Sequence, residues 1–468
     1  MGRKKIKDIK GLRIEKFAAE GNCLGYAEDG KVIFVSHSAP GDLMDVRVVK
    51  QRRKFIQAAP EQVYEFSDMR QEPHCEHFGL CGGCKWQHLK YEHQLEFKTQ
   101  VVRETMEHLA KIEIPEIPQA VGSEKTEFYR NKMEYSFTNF RWLTKEEISQ
   151  EEAHNRNGLG LHVPGGFDKI IHVNKCWLQP DPSNQIRTAI HEFALANEIP
   201  FYNVKFAEGH LRNVTIRTAN TTGQVMVILQ VFTDEQKWTL PLVQHLQDTF
   251  PQITSLFYVV NKKGNETIFD QELVLHHGKP YIEETMEDLT YRVGPKSFYQ
   301  TNSEQAFTLY SITRDFADLK GDEVVYDLYT GTGTIANFIA KKAKQVIGIE
   351  YVDAAIEDAK INAEINNIEN TLFYAGDMKK VLNDKFIAKH AAPDVIVTDP
   401  PRAGMDKEVI DMLLKLEAKR IVYVSCNPAT QARDLDLLDV KYKVTKIQPV
   451  DMFPHTHHIE NVVALELK

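Results

Sequence analysis

Cys426 ends the run Ile421-Val422-Tyr423-Val424-Ser425, an apolar, β-branched stretch that reads as a short buried strand. In an open α/β sheet, groups at the carboxyl ends of strands face the ligand. Pro428 has no N–H and cannot extend a ladder, so the thiol falls on the loop leaving the strand. A thiol so placed is a candidate nucleophile; the blander reading is a small buried core residue. Glu460 closes the run Phe453-Pro454-His455-Thr456-His457-His458-Ile459 and precedes Asn461 and Val462-Val463-Ala464-Leu465. Its flanks set a carboxylate at the mouth of a buried strand, whereas most glutamates are solvated surface groups. The three histidines suit neither a helix face nor a usual zinc spacing and read as scaffolding for the Glu460 loop. A second thiol cluster, Cys75-x5-Cys81-Gly-Gly-Cys84, has Cys176 as its candidate fourth member. Thiolates at that spacing converge on a metal centre. A zinc ribbon and a redox pair are the alternatives, though Pro73-His74-Cys75 offers no strand to carry a thioredoxin-like pair.

Four strand ends would position this chemistry. Val324-Val325-Tyr326-Asp327-Leu328 runs into Tyr329-Thr330-Gly331-Thr332-Gly333-Thr334, a strand, a glycine-rich turn and the start of a helix. Glu350 ends the next strand, where a carboxylate accepts hydrogen bonds from ribose hydroxyls. Asp377 and Asp399 end two more. A dinucleotide fold would explain the first two features. The Asp399-Pro400-Pro401-Arg402 element points instead to a nucleoside-type methyl donor and a planar acceptor.

These motifs, with Ser297-Phe298-Tyr299-Gln300-Thr301-Asn302 and Ser425-Cys426-Asn427-Pro428-Ala429-Thr430, resemble the RNA uracil-5-methyltransferase family of the RumA/TrmA type. The resemblance implies S-adenosyl-L-methionine as methyl donor and a Rossmann-like methyltransferase domain. It implies Cys426 as nucleophile towards carbon 6 of uracil, Glu460 as the base that removes the carbon-5 proton, and Asp399 against the pyrimidine edge. Gln300, Asp327, Tyr329, Gly331, Gly333, Glu350, Asp377 and Asp399 become the donor-binding set. Cys75, Cys81, Cys84 and Cys176 match the ligands of a [4Fe–4S] cluster, and Cys23 is left as a core residue. Thr330 and Tyr299 depart from the residues usual in relatives, at positions expected to lie apart from the chemistry. Arg402 replaces the aromatic residue of amino-methylating enzymes. Tyr129-Arg130-Asn131-Lys132 matches a family motif that would grip RNA, or else Arg130 and Lys132 lie on the wet side of a strand. Phe298, Tyr299 and Phe453 would stack on a looped-out or flipped base, or serve as core.

At 468 residues the chain should divide into several domains. The expected architecture is α/β: an OB-like TRAM barrel over 1–65, a central α+β domain with the cysteine cluster over 66–290, and the methyltransferase domain over 291–468. Alternating segments at 31–35 and 45–49 suggest a small antiparallel barrel for the head, and a helix is expected over 91–109. Net charge is −9, which argues against a whole-protein nucleic-acid footprint. Residues 1–60 nonetheless carry 13 Lys+Arg against 7 Asp+Glu, including Arg3, Lys4, Lys5, Lys50, Arg52, Arg53 and Lys54. That basic head suits RNA, and residues 1–7 alternatively read as a solubilising tail. The polar opening implies no secretory signal, a cytoplasmic compartment and reduced cysteines. The expected protein is a monomer that acts on RNA, 23S ribosomal RNA by analogy, with no DNA or membrane partner. Alternatives are a tRNA uracil methyltransferase, a non-catalytic RNA-binding assembly factor and an iron–sulfur redox protein.

Overall fold

The computed structural model describes residues 8–150 and 154–468; Arg3, Lys4 and Lys5 of the basic head lie outside the described residues. The C-terminal sheet is built from β1 (Val324–Leu328), β2 (Gln345–Glu350), β3 (Thr371–Ala375), β4 (Val395–Thr398), β5 (Arg420–Ser425), β6 (Tyr442–Val450) and β7 (Glu460–Leu467). Their spatial order is β3-β2-β1-β4-β5-β7-β6. The first five run parallel, and β7 inserts antiparallel between β5 and β6. β1, β4 and nearly all of β5 are buried along their length, because helices cover both faces. One face packs on Ser303–Ala317 and Thr334–Ala340, the other on Lys407–Leu416 and Pro428–Leu438.

The central sheet has seven strands in the order Val274–Gly278, Ile253–Val260, Val225–Val231, Leu211–Thr218, Lys132–Thr138, Gly158–His162, Ile170–His172. Val227 and Leu229 face its own core with helices Ser183–Ala196 and Gln236–Thr249, while Met226 and Ile228 join the core of the C-terminal sheet. This period-2 split lets one strand bury both sides and binds the two sheets together. The hairpin Ile282–Met286/Leu289–Val293 also packs into the core of the C-terminal sheet.

The head forms a six-stranded sheet over residues 9–65. It is not wholly antiparallel as expected: Val32–Val35 pairs in parallel with Phe55–Glu65. The long connection through Leu43–Gln51 lets the chain re-enter on the same heading. Cys23 is buried in its core, its thiol donating to the Ser38 carbonyl at 3.0 Å. The expected helix spans Tyr91–Thr105 and continues as a wider turn over Met106–Ala110. Among the described residues, no helix is long and apolar enough to cross a membrane.

Candidate active site and cysteine cavity

β5 stops at Ser425, and the chain turns at once into a helix. Asn427 caps that helix by accepting from the Ala429 N–H at 3.1 Å, and Pro428 opens its first turn. Cys426 therefore stands at the strand tip. Ser425 pairs with Asn461 across the antiparallel β5–β7 ladder, so the next step in the same register sets Cys426 opposite Glu460. An antiparallel strand delivers its first residue to the edge where its parallel neighbours deliver their last. Asp399 follows β4 on that edge, its N–H donating to the Leu328 carbonyl at the end of β1 at 3.3 Å. The Arg402 carbonyl accepts from Asn427 Nδ2 at 3.0 Å and from the Thr430 hydroxyl at 3.2 Å, tying the 399–402 loop to the thiol's loop.

Burial, then the charges of Glu460 and Asp399, push the Cys426 thiol up to about 11, while the Arg402 guanidinium beside it acts in the opposite direction. Burial likewise lifts Asp399 to about 7 and holds Glu460 well above the carboxylate range, reinforced there by Asp399 and opposed by Arg402. Three carboxyls, Asp327 included, face the buried Tyr310, and groups so close in an apolar site resist ionising together. Arg402 is the residue that sequence reasoning gave too small a part: it is the cation serving both the thiol and Glu460.

Beside this edge lies the glycine-rich turn expected to hold the methyl donor. Tyr329, Gly331 and Gly333 have φ of 62°, 54° and 71°, so the turn is left-handed at three positions. A Cβ on Gly331 would meet nothing within 4 Å, whereas one on Gly333 would lie 2.8 Å from the Ala359 methyl. The first glycine thus faces open space and the second lets a helix close in. Glu350 accepts from the Gly331 N–H at 3.2 Å and the Val352 N–H at 3.0 Å, which aims it along the turn. Asp327 is lifted to about 7, chiefly by burial; its Oδ2 accepts from the Thr330 hydroxyl, and its Oδ1 has no partner. Thr330 therefore touches the site, contrary to expectation. The orphaned oxygen, the acid at the end of β2 and the space over Gly331 fit a cationic nucleoside. Asp377 caps the short helix Met378–Val381 through the Lys379 N–H, a second task for that carboxylate.

A cleft of about 300 Å³ opens alongside, lined by Lys132, Arg217 and Gln230 of the central sheet and by Phe269, Lys296 and Phe298. Phe298 is 66% exposed while Tyr299 is 6% exposed, so the two neighbours divide into an exposed ring and a core residue. Tyr129 and Asn131 are joints between sheets. The Tyr129 hydroxyl donates to the Pro454 carbonyl at 3.0 Å, and Asn131 Nδ2 donates to the Gln300 carbonyl and the Ser303 hydroxyl at 2.8 Å each. Arg130 lies over the Phe453 ring at 5.8 Å, and Lys132 reaches the cleft.

Cys75, Cys81, Cys84 and Cys176 line one small hollow, walled by Leu161, Val173 and Leu178. Among the described residues, no group of three or more His, Cys, Asp or Glu could hold a metal ion as placed. The Gly83 N–H points at Cys81 Sγ at 3.3 Å, and Gln87 Nε2 at Cys84 Sγ at 3.4 Å, as cluster thiolates require. Burial pushes Cys81 up to about 12 and raises Cys75 and Cys84 also. The four-thiol donor set is of the kind such a cluster takes.

Comparison with known proteins gives a consistent picture. A tRNA (uracil-5-)-methyltransferase profile matches residues 218–468, and a TRAM domain profile matches residues 8–59. A protein of Bacteroides thetaiotaomicron described as an uncharacterized RNA methyltransferase is 54% identical, covering 96% of this chain and 100% of its own length. One from Porphyromonas gingivalis with the same description is 52% identical, covering 97% and 99%. The crystal structure of Pyrococcus abyssi tRNA (uracil-54, C5)-methyltransferase with S-adenosyl-L-homocysteine superposes with a TM-score of 0.76 at 29% identity, covering 98% of this chain and 100% of that one.

Proposed function

The chain belongs to the tRNA (uracil-5-)-methyltransferase family and is an RNA (uracil-5-)-methyltransferase, and from that premise we propose that it methylates carbon 5 of a specific uridine in 23S ribosomal RNA. The observation that carries the mechanism is the β5–β7 register, which opposes Cys426 to Glu460 beside Asp399 and Arg402. Cys426 gives its proton to solvent, and its sulfur bonds to carbon 6 of the ring. The carbon 5–carbon 6 pair moves onto carbon 5 and oxygen 4 as an enolate. Arg402 favours the thiolate, and Asp399 holds the pyrimidine edge. S-adenosyl-L-methionine, in the pocket of Asp327, Tyr329, Gly331, Gly333, Glu350 and Asp377 with Gln300 nearby, supplies a sulfonium-activated methyl group. Carbon 5 takes that methyl as the methyl–sulfur bond breaks, its electron pair leaving on neutral S-adenosyl-L-homocysteine. Glu460, ionised, then takes the carbon-5 proton; the released pair restores the double bond, and the carbon 6–sulfur bond breaks back to the Cys426 thiolate.

The four loop cysteines hold a [4Fe–4S] cluster in this reading. It takes no part in an electron-neutral methylation, so its place is structural. Phe298 stacks on the unstacked base, and the cleft with Lys132 and Arg217 carries the neighbouring strand. The ribosomal target is supported by a TRAM head and cysteine loop in one chain, the combination shared with RumA-type enzymes. A second reading, tRNA, is favoured by the likeness to the Pyrococcus tRNA enzyme over the whole chain.

The test is mass spectrometry after incubation with the methyl donor and 5-fluorouridine-substituted RNA. Fluorine cannot leave as a proton, so the reaction stalls as a covalent adduct on Cys426. An adduct with ribosomal RNA that Cys426→Ala abolishes supports the reading. An adduct with tRNA alone moves the substrate. None with either, in folded donor-bound protein, overturns the mechanism.

A further inference from the structure

Nucleophile and base meet across the β5–β7 ladder, but the segments that flank them rest on different supports. Cys426 is held by β5, the Asn427 cap and the 399–402 loop. Glu460 is approached through residues 451–459, and that segment is held by one face of the helix Tyr91–Thr105. Tyr91, Gln94 and Lys98 recur there at helical spacing. The Tyr91 hydroxyl donates to Asp451 Oδ2 at 2.9 Å, and the fully buried Lys98 ammonium donates to Asp451 Oδ1 at 2.5 Å and the Phe453 carbonyl at 3.0 Å.

Gln94, fully buried between them, reaches two ways. Its carboxamide oxygen accepts from the His455 N–H at 2.9 Å, and its nitrogen lies 3.2 Å from His455 Nδ1. The same nitrogen donates to the Trp86 carbonyl at 3.1 Å and the Leu89 carbonyl at 2.9 Å, both in the chain that leaves Cys84. The contact is returned through the backbone: the Lys85 and Trp86 N–H groups both donate to the His455 carbonyl, at 2.8 and 3.0 Å. His455 itself sits at φ 63°, a conformation that a non-glycine residue keeps only when its surroundings impose it. The first two residues after a cysteine ligand thus clasp the segment that leads into Glu460.

We propose that Gln94 is a positioning residue that couples the cysteine loop to Glu460, so that disturbing the loop slows release of the methylated product and spares methyl transfer. The inference rests on the reading of Glu460 as base. No hydrogen bond joins the cysteine loop to the Cys426 turn among the described residues, so adduct formation has no reason to follow the loop. Proton removal does: a carboxylate misplaced by a fraction of an ångström loses much of its effect.

The experiment uses the full chain and RNA carrying tritium at uracil carbon 5, with a labelled methyl donor. Adduct formation is read as labelled protein–RNA on denaturing gels, and proton removal as tritium released to water. Gln94→Leu should form methylated adduct within about twofold of the parent rate, yet release tritium at least about tenfold more slowly, so that adduct accumulates. Glu460→Gln, run alongside, should accumulate it more fully. If Glu460→Gln accumulates adduct and Gln94→Leu does not, the coupling is wrong and the base assignment stands. If neither does, the base assignment falls and takes the inference with it. A parallel fall in both steps for Gln94→Leu assigns it a general structural role and also overturns the proposal. Should that variant not fold, the parent protein is compared before and after iron removal with ferricyanide and EDTA, by amide hydrogen exchange. Faster exchange by about tenfold or more over 451–459, with 425–431 unchanged, is the expected result; equal exchange in both segments overturns the proposal.

Discussion

Cys426 and the four loop cysteines are both sets of thiols sheltered from water, yet their surroundings differ in one respect. Cys426 has a cation beside it, Arg402, and stands half-buried at a strand tip next to open clefts. The loop thiols have N–H groups aimed at sulfur and apolar walls, and the charges that bear on Cys81 and Cys84 are those of the other cysteines. Burial raises Cys426 and, in the loop, Cys75, Cys81 and Cys84. A lone guanidinium partly offsets that for a thiol that must come and go as a thiolate. Nothing short of a metal offsets it for several thiolates packed together. On the proposed reading, the difference separates a cysteine suited to react from cysteines suited to hold a cluster.

The contrast is broken most sharply by removing one thiol from each set. Cys426→Ala should lower methylation by roughly 10⁴-fold or more while leaving the melting temperature and iron content as they were. Cys84→Ser should do the reverse, lowering iron content and melting temperature and retaining measurable methylation; activity assays, metal analysis and calorimetry on the pair decide it. Next in size, Arg402→Gln should slow adduct formation roughly tenfold, about one unit of thiol acidity, and rising pH should restore part of the loss. Alkylation of Cys426 by iodoacetamide across pH 7–10 measures this directly.

A smaller effect concerns the carboxyls. Asp399, raised from 3.8 to about 7, stabilises the fold fully only below its unfolded value, and that contribution is lost as pH rises through about 7. Asp399→Asn should therefore melt higher than the parent by a few degrees at pH 8, with the gap closing towards pH 4, and be inactive throughout. Smallest of all, the Tyr299 hydroxyl is buried with no partner. Tyr299→Phe should leave kcat unchanged and shift stability by no more than about 1 kcal/mol, in the favourable direction, by denaturant titration.

Much of the catalytic edge was legible because parallel strands buried on both faces read as continuous apolar runs, and acids at their ends stand out. Val395 to Asp399 and Ile421 to Cys426 are such runs. What stayed hidden was whatever depends on distant partners. Lys98 looks like any helical lysine, and its burial against Asp451 follows only from the docking of elements 353 positions apart. Tyr129 and Asn131 sit in a motif that reads as an RNA grip, yet both spend their hydrogen bonds on joining the sheets. The parallel Val32–Val35 pairing was missed because local alternation is the same for either direction.

The opposition of Cys426 to Glu460 is a matter of counting as well as of chemistry. Asn461 Nδ2 donates to Gln431 Oε1 at 2.7 Å, while Gln431 Nε2 donates to the Tyr423 carbonyl at 2.9 Å and to the Asn461 carbonyl at 3.1 Å, pinning β7 against β5. A strand repeats every two residues, so losing a single residue just inside β7 would turn Glu460 to the opposite face or tear this amide lock. Deletions there should be far less forgiving than substitutions. In a library of length variants, the active site would be marked by a boundary of tolerated indels rather than by any one side chain.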